Sequence, residues 1–214
     1  PNNSLYLSGY FGRDVFSIQK SFTNVYGNAT LNLRWNHLFS DKLFSNLSLI
    51  YSDYYYGLDL GFIGLRWDSG IKNYNIKYDF KNYVGENFKL NYGVNAIYYD
   101  FNPGTVKPLD SDSKINYKQL EKKSAFEPAM YIDVEQNVSK KISLSYGMRY
   151  SLFYRLGKSN VNTYANDNPV VFNLEQQIYE KATPTGSEYY GKNKTIADFN
   201  NFEPRASIAY QLDD

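Results

Sequence analysis

The sequence predicts an all-β protein: an antiparallel up-and-down sheet of about eight long strands, of the kind that forms a transmembrane β-barrel segment. Three observations carry that prediction. Apolar and polar residues alternate with a period of two along most of the chain, and helical periodicity is nearly absent. Several alternating stretches exceed ten residues, whereas strands of ordinary globular proteins cluster near five or six. The connections between them alternate between short and long, as in membrane barrels with tight turns on one rim and long loops on the other.

The elements follow in order. The stretch 4–13 alternates least cleanly. Over 26–38, Leu31, Leu33 and Trp35 oppose Asn32, Arg34 and Asn36. The next strand, 43–55, carries Leu47 and Leu49 on one parity. In 65–80, Tyr74, Ile76, Tyr78 and Phe80 stand against Asn73, Asn75, Lys77 and Asp79. In 87–100, Phe88, Leu90, Tyr92, Val94, Ala96 and Tyr98 stand against Lys89, Asn91, Gly93, Asn95, Ile97 and Tyr99. Met130, Ile132 and Val134 mark 125–137. The clearest alternation is in 141–155, from Ile142 through Leu144, Tyr146, Met148, Tyr150 and Leu152 to Tyr154. A final strand, 201–212, shows Ala206, Ile208, Tyr210 and Leu212. Short connections fall at Ser40-Asp41-Lys42, 81–86 and Ser139-Lys140; long ones at 14–25, 56–64, 101–124 and 156–200.

Charge follows the same parity. The apolar positions just named carry none, while the opposite parity holds Arg34, Lys77, Asp79, Lys89, Asp133, Glu135, Arg149, Arg155, Glu203 and Arg205. A charge on the lipid face of a barrel costs about 2–4 kcal/mol at the bilayer midplane, so these residues belong on the lumen side. A soluble β-sandwich also alternates, because one face of each sheet is solvated. Alternation alone leaves both readings open; strand length and rim asymmetry favour the barrel. The mean hydropathy of −0.56 does not oppose it, since only alternate residues face lipid.

Composition removes other classes. With 23 basic and 22 acidic residues the net charge is +1, which argues against nucleic acid as a partner. There is no Cys, and a single His, His37, so disulfides, thiol nucleophiles and multi-histidine metal sites are excluded. Asp110 and Asp112 lack the rest of a calcium loop. Asp133 and Glu135 read as charge partners of Arg149 along a wet wall. No nucleophile–base pair can be named, so the chain reads as a non-enzyme that needs no cofactor.

The run Asn200-Asn201-Phe202-Glu203-Pro204-Arg205-Ala206-Ser207, with Thr195 to Tyr210 around it, resembles the barrel of TonB-dependent outer-membrane receptors. The segments 7–17 (LSGYFGRDVFS), 33–56 (LRWNHLFSDKLFSNLSLIYSDYYY) and 101–105 (FNPGT) are similar to the same family, in matching order. The resemblance implies a barrel of about 22 strands closed around a plug domain. It also implies a coupling segment that contacts an inner-membrane energy-coupling protein. Residues 1–214 then read as an internal piece of one barrel domain, without plug, and as an open curved sheet whose first and last strands stay unpaired. A turn into a further strand is expected at Asp213-Asp214.

The implied activity is energy-coupled uptake of a scarce nutrient: a metal chelate, cobalamin or a glycan. The implied location is the outer membrane of a Gram-negative type cell, with the long loops extracellular. Partners are outer-membrane lipid, the plug, the remaining strands and a small-molecule or glycan ligand. Two rivals come from other classes: a passive small porin formed by closing these eight strands, and a soluble extracellular β-sandwich adhesion module.

The candidate ligand-binding residues are Tyr189, Tyr190, Arg149 and Arg155. Tyr189 and Tyr190 lie inside the longest loop, where binding residues concentrate on rigid scaffolds. Arg149 and Arg155 face the lumen, where they would guide an anionic ligand or pair with a plug. The clusters Tyr54-Tyr55-Tyr56 and Tyr98-Tyr99 read as an aromatic belt at the boundary between apolar and wet layers.

Overall fold

The computed structural model describes residues 2–19 and 21–212; Asp213 and Asp214, where a further turn is expected, lie outside the described residues. Five strands come first: β1 (Asn3–Ile18), β2 (Phe22–Ser40), β3 (Leu43–Leu60), β4 (Leu65–Tyr83) and β5 (Phe88–Pro108). A two-residue β6 (Lys118–Gln119) precedes β7 (Lys123–Asn137) and β8 (Ile142–Leu156). Four short strands then build an excursion: β9 (Ser159–Thr163), β10 (Val170–Asn173), β11 (Ile178–Lys181) and β12 (Gly186–Tyr190). The last strand is β13 (Thr195–Tyr210).

The long strands form one antiparallel sheet in the order β1-β2-β3-β4-β5-β7-β8-β13, with β6 appended to β5. Each pairs with its neighbour in sequence, and β1 and β13 do not pair with each other, so the sheet is an open meander. A Greek-key sandwich would require crossovers.

Register carries one parity across the whole sheet, because paired residues share a face. Leu5 pairs with Trp35, Trp35 with Leu47, Leu47 with Tyr78, Tyr78 with Val94, Val94 with Met130, Met130 with Tyr150 and Tyr150 with Phe202. The sheet is curved with its polar face concave. In β5, Asn95 is 8% exposed while its neighbour Val94 is 53%; in β7, Ala129 is 8% and Met130 60%. Crowding on one face and splaying on the other is what curvature produces.

The convex face is apolar and edged with rings. Tyr51, Tyr74 and Tyr98 share a register row, with centroids 5.2 and 6.5 Å apart, and Phe126 and Tyr154 continue it. The next convex row reads Asp53, Lys72, Asp100 and Ser124. The apolar surface ends there, and Lys72 pairs with Asp53 at 3.3 Å.

The strands run past their expected ends. The connections expected at 14–25 and 56–64 shrink to short turns, because β1 and β2 pair as far as Ile18 and Phe22, and β3 and β4 as far as Leu60 and Leu65. Ladder pairing needs no apolar alternation once both faces are wet. The connections expected at 101–124 and 156–200 remain the long ones but shorten to 109–122 and 157–194, because β5 runs on to Pro108 and β13 begins at Thr195. The opposite rim is tight, and Ser40 and Ser139 set its turns: each hydroxyl oxygen accepts the backbone N–H groups two and three residues on, at 3.1–3.3 Å.

Candidate ligand-contact wall

The concave face holds the polar side chains, and glycines open gaps between them. Tyr131 donates its hydroxyl hydrogen bond to Asp79 two strands away, over Gly93, which pairs with both. Likewise Arg205 on β13 reaches Asp133 on β7 over Gly147 of β8, with Nε to Oδ1 at 2.7 Å. A Cβ at either glycine would collide with the bridging side chain and a backbone carbonyl. Lys89 pairs with Glu135, and the Asn91 amide donates to the same carboxylate at 3.0 Å. Lys77 pairs with Asp79 at 3.1 Å. Towards the tight-turn rim most charges of the wall are thus paired, Lys81 excepted.

Nearer the opposite rim lies a concavity of about 510 Å³ with a different character. Its floor is Tyr99, Phe101, Ala125 and Phe153, with Ile71 on one side and Arg155 and Lys123 on the other. Phe199 of β13 continues the aromatic surface, its ring 6.5 Å from that of Phe153. The Tyr99 hydroxyl donates to Glu127 at 3.0 Å. The Arg155 and Lys123 side chains have no hydrogen-bond or ion-pair partner among the described residues. The arrangement offers rings to stack on, two free cations, and one carboxylate partly engaged by a phenol.

Family models and curated proteins give no match to this sequence. Among solved structures, one comparison aligns 97% of this chain at a TM-score of 0.62 and 12% identity. That structure is the copper transporter OprC. At this identity the likeness shows the fold alone. The chain spans 31% of the length of OprC, so the eight-strand sheet corresponds to about a third of that protein.

The four expected site residues fall in three places. Arg155 lines the concavity. Arg149 does not: its guanidinium lies 5.8 Å from the Tyr131 ring centroid, and its Nε donates to Ser151 at 3.0 Å. Nor does it pair with Asp133 and Glu135 as expected, because register sets Gly147 and Ser145 opposite those residues and Arg205 and Lys89 reach them instead. Tyr189 and Tyr190 sit on β12, in a side hairpin with β9. Tyr189 is exposed, and Tyr190 donates its hydroxyl to Glu188 at 2.8 Å, which pushes its phenol pKa up. The hairpin is tied down at its base, where the buried Ser159 donates to Glu121 at 2.8 Å.

Sequence reasoning missed Tyr99, Phe101, Lys123, Glu127 and Phe153. One signal was available: odd-numbered positions of 97–101 and 123–127 share the parity of Asn95, so Tyr99 and Phe101 are rings on the polar face. The Tyr98-Tyr99 pair divides, Tyr98 joining the convex row and Tyr99 the concavity. Adjacent residues on a strand leave opposite faces.

Proposed function

We propose that this chain is an eight-strand segment of the barrel wall of an outer-membrane transporter of the TonB-dependent type. Such a protein takes up a scarce nutrient, and the concavity around Arg155 contacts the ligand as it enters. One observation carries the reading: a single register gives all eight strands an apolar convex face and a polar concave face, and the sheet ends in two unpaired edges. Unpaired edges on strands of this length are an aggregation hazard, so further strands of the same barrel are the natural occupants. An apolar outside and a polar inside suit lipid and a wet lumen, with the tyrosine row at their boundary. The likeness to OprC supports the fold on which the reading rests.

The test uses the full-length protein that carries this sequence. It should fractionate with the outer membrane. Growth on a limiting chelated metal, cobalamin or glycan should depend both on it and on the inner-membrane energy-coupling protein. Recovery in the soluble fraction would overturn the membrane reading. Growth independent of the coupling protein would instead support a passive porin.

A further inference from the structure

The concavity of the wall points to a class of ligand, and the inference rests on the transport reading above. We propose that it binds an anion carried on a flat apolar body, such as an aryl carboxylate. Arg155 and Lys123 would hold the charge, and the rings of Phe101, Phe153 and Tyr99 would hold the body.

Three features converge. Most other cations of the concave face are engaged: Arg205, Lys89 and Lys77 in ion pairs, Arg149 with Ser151 and the Tyr131 ring, and Arg34 over the Tyr6 ring at 5.0 Å; the exception is Lys81, near the tight-turn rim. Arg155 and Lys123 are engaged by no side chain among the described residues, and they lie together on β8 and β7. A free guanidinium presents a planar fork matched to a carboxylate, and a neighbouring ammonium adds a point charge.

The floor beside them is aromatic. Tyr99, Phe101 and Phe153 offer flat apolar surface beside the two cations on the polar face of the sheet. Among the described residues their one ring contact is the tilted Phe153–Phe199 pair at 6.5 Å, and a flat ligand would cover the rings by offset stacking. Size fits as well, since about 510 Å³ lies within the range of small-ligand sites.

Glu127 sets the specificity. Of the titratable groups facing the concavity, Arg155 and Lys123 are cationic and Glu127 is the carboxylate, with Tyr99 donating to it. The site therefore carries a net charge of one positive unit. It favours a monoanion, and a ligand hydroxyl next to the charge would find Glu127 as an acceptor.

The full-length protein, purified in detergent, is titrated calorimetrically with three probes: 2-naphthoate, its neutral analogue 2-naphthalenemethanol, and cyclohexanecarboxylate. Naphthoate should bind about tenfold or more tighter than either of the others, the difference made by one charge-assisted contact or one stacked ring. Arg155→Gln and Lys123→Gln should each weaken naphthoate about tenfold and leave the alcohol unchanged. Glu127→Gln should tighten naphthoate severalfold by removing a like charge, a gain that loss of structure would not produce. Lys42→Gln, on the opposite rim, should change nothing.

Equal affinity for acid and alcohol, no effect of both cation variants, or no binding of naphthoate by folded protein would overturn the inference. Its failure is distinct from failure of the transport reading. A protein found in the outer membrane and active in uptake, but blind to naphthoate, would lose only the ligand class. A protein found outside the membrane would lose the transport reading, whatever the titrations showed.

Discussion

Placing an arginine at three positions of β5 separates lipid, interface and water within five residues. The convex side of this strand reads Leu90, Tyr92, Val94, Ala96 and Tyr98, so Val94 is the middle of the apolar run. Its register partners on the same face are Tyr78 and Met130. Leu90 lies four residues from Val94; at about 3.4 Å per residue that is about 14 Å along the strand. With a strand tilt of about 45°, the difference in depth is about 10 Å, most of half an apolar band about 25 Å tall. Val94→Arg should therefore cost about 2–4 kcal/mol and Leu90→Arg about 1 kcal/mol or less. Asn91→Arg points to the concave face, where the Glu135 carboxylate lies 3.0 Å from the native amide, and should leave stability nearly unchanged. The assay refolds full-length variants into bilayers and measures the free energy of unfolding by denaturant titration. Equal losses at Val94 and Asn91 would mean that both faces are buried alike, and the membrane assignment would fail. A loss at Leu90 as large as that at Val94 would shift the band along the strand.

Other outcomes follow from the concave wall. Gly93→Ala should destabilise by about 1–3 kcal/mol, because the new methyl meets the Tyr131 hydroxyl and the Tyr78 carbonyl; a neutral result in the same unfolding titration would mean the gap is not needed. Asp133→Asn should cost less than about 1 kcal/mol despite the two-pronged contact, since the Arg205 side chain is 62% exposed; a larger loss would show the pair to be shielded from solvent. Ser159→Ala should loosen the base of the side hairpin, read as faster amide exchange in β9 and β12 with the main sheet unchanged.

The sheet was legible in the sequence because the two faces of each long strand carry different residues, apolar on the convex side and polar on the concave side. The parity of Leu31, Leu33 and Trp35, or of Ile142 to Tyr154, survives directly as the convex face. Strand ends were less legible. Beyond Tyr51, Tyr74 and Tyr98 the convex face too carries polar residues, so Asp53, Lys72 and Asp100 leave no alternation although the ladder continues. The short strands of 157–194 pair through backbone in a polar segment, where side-chain pattern carries little information. Parity and charge alone placed Arg155 on the polar face, where it lines the concavity. Its neighbours Tyr99, Glu127 and Lys123 come from two other strands, and only register brings them together. Arg149 was assigned the wrong partners for the same reason: the glycine gap at Gly147 hands Asp133 to Arg205.

The central claim is that one face of this sheet meets lipid and the other water. These 214 residues contain no Cys, so single cysteines are placed at each position from Leu90 to Ile97 in the full-length protein, with any cysteine outside this segment replaced to remove background labelling. Spin labels at these sites, with the protein in lipid bilayers, report collision with oxygen, which concentrates in lipid, and with a water-soluble nickel complex. The account predicts a strict period of two: oxygen contact highest at 90, 92, 94 and 96, and nickel contact highest at 91, 93, 95 and 97. Accessibility to nickel on both parities, or on neither, would contradict it.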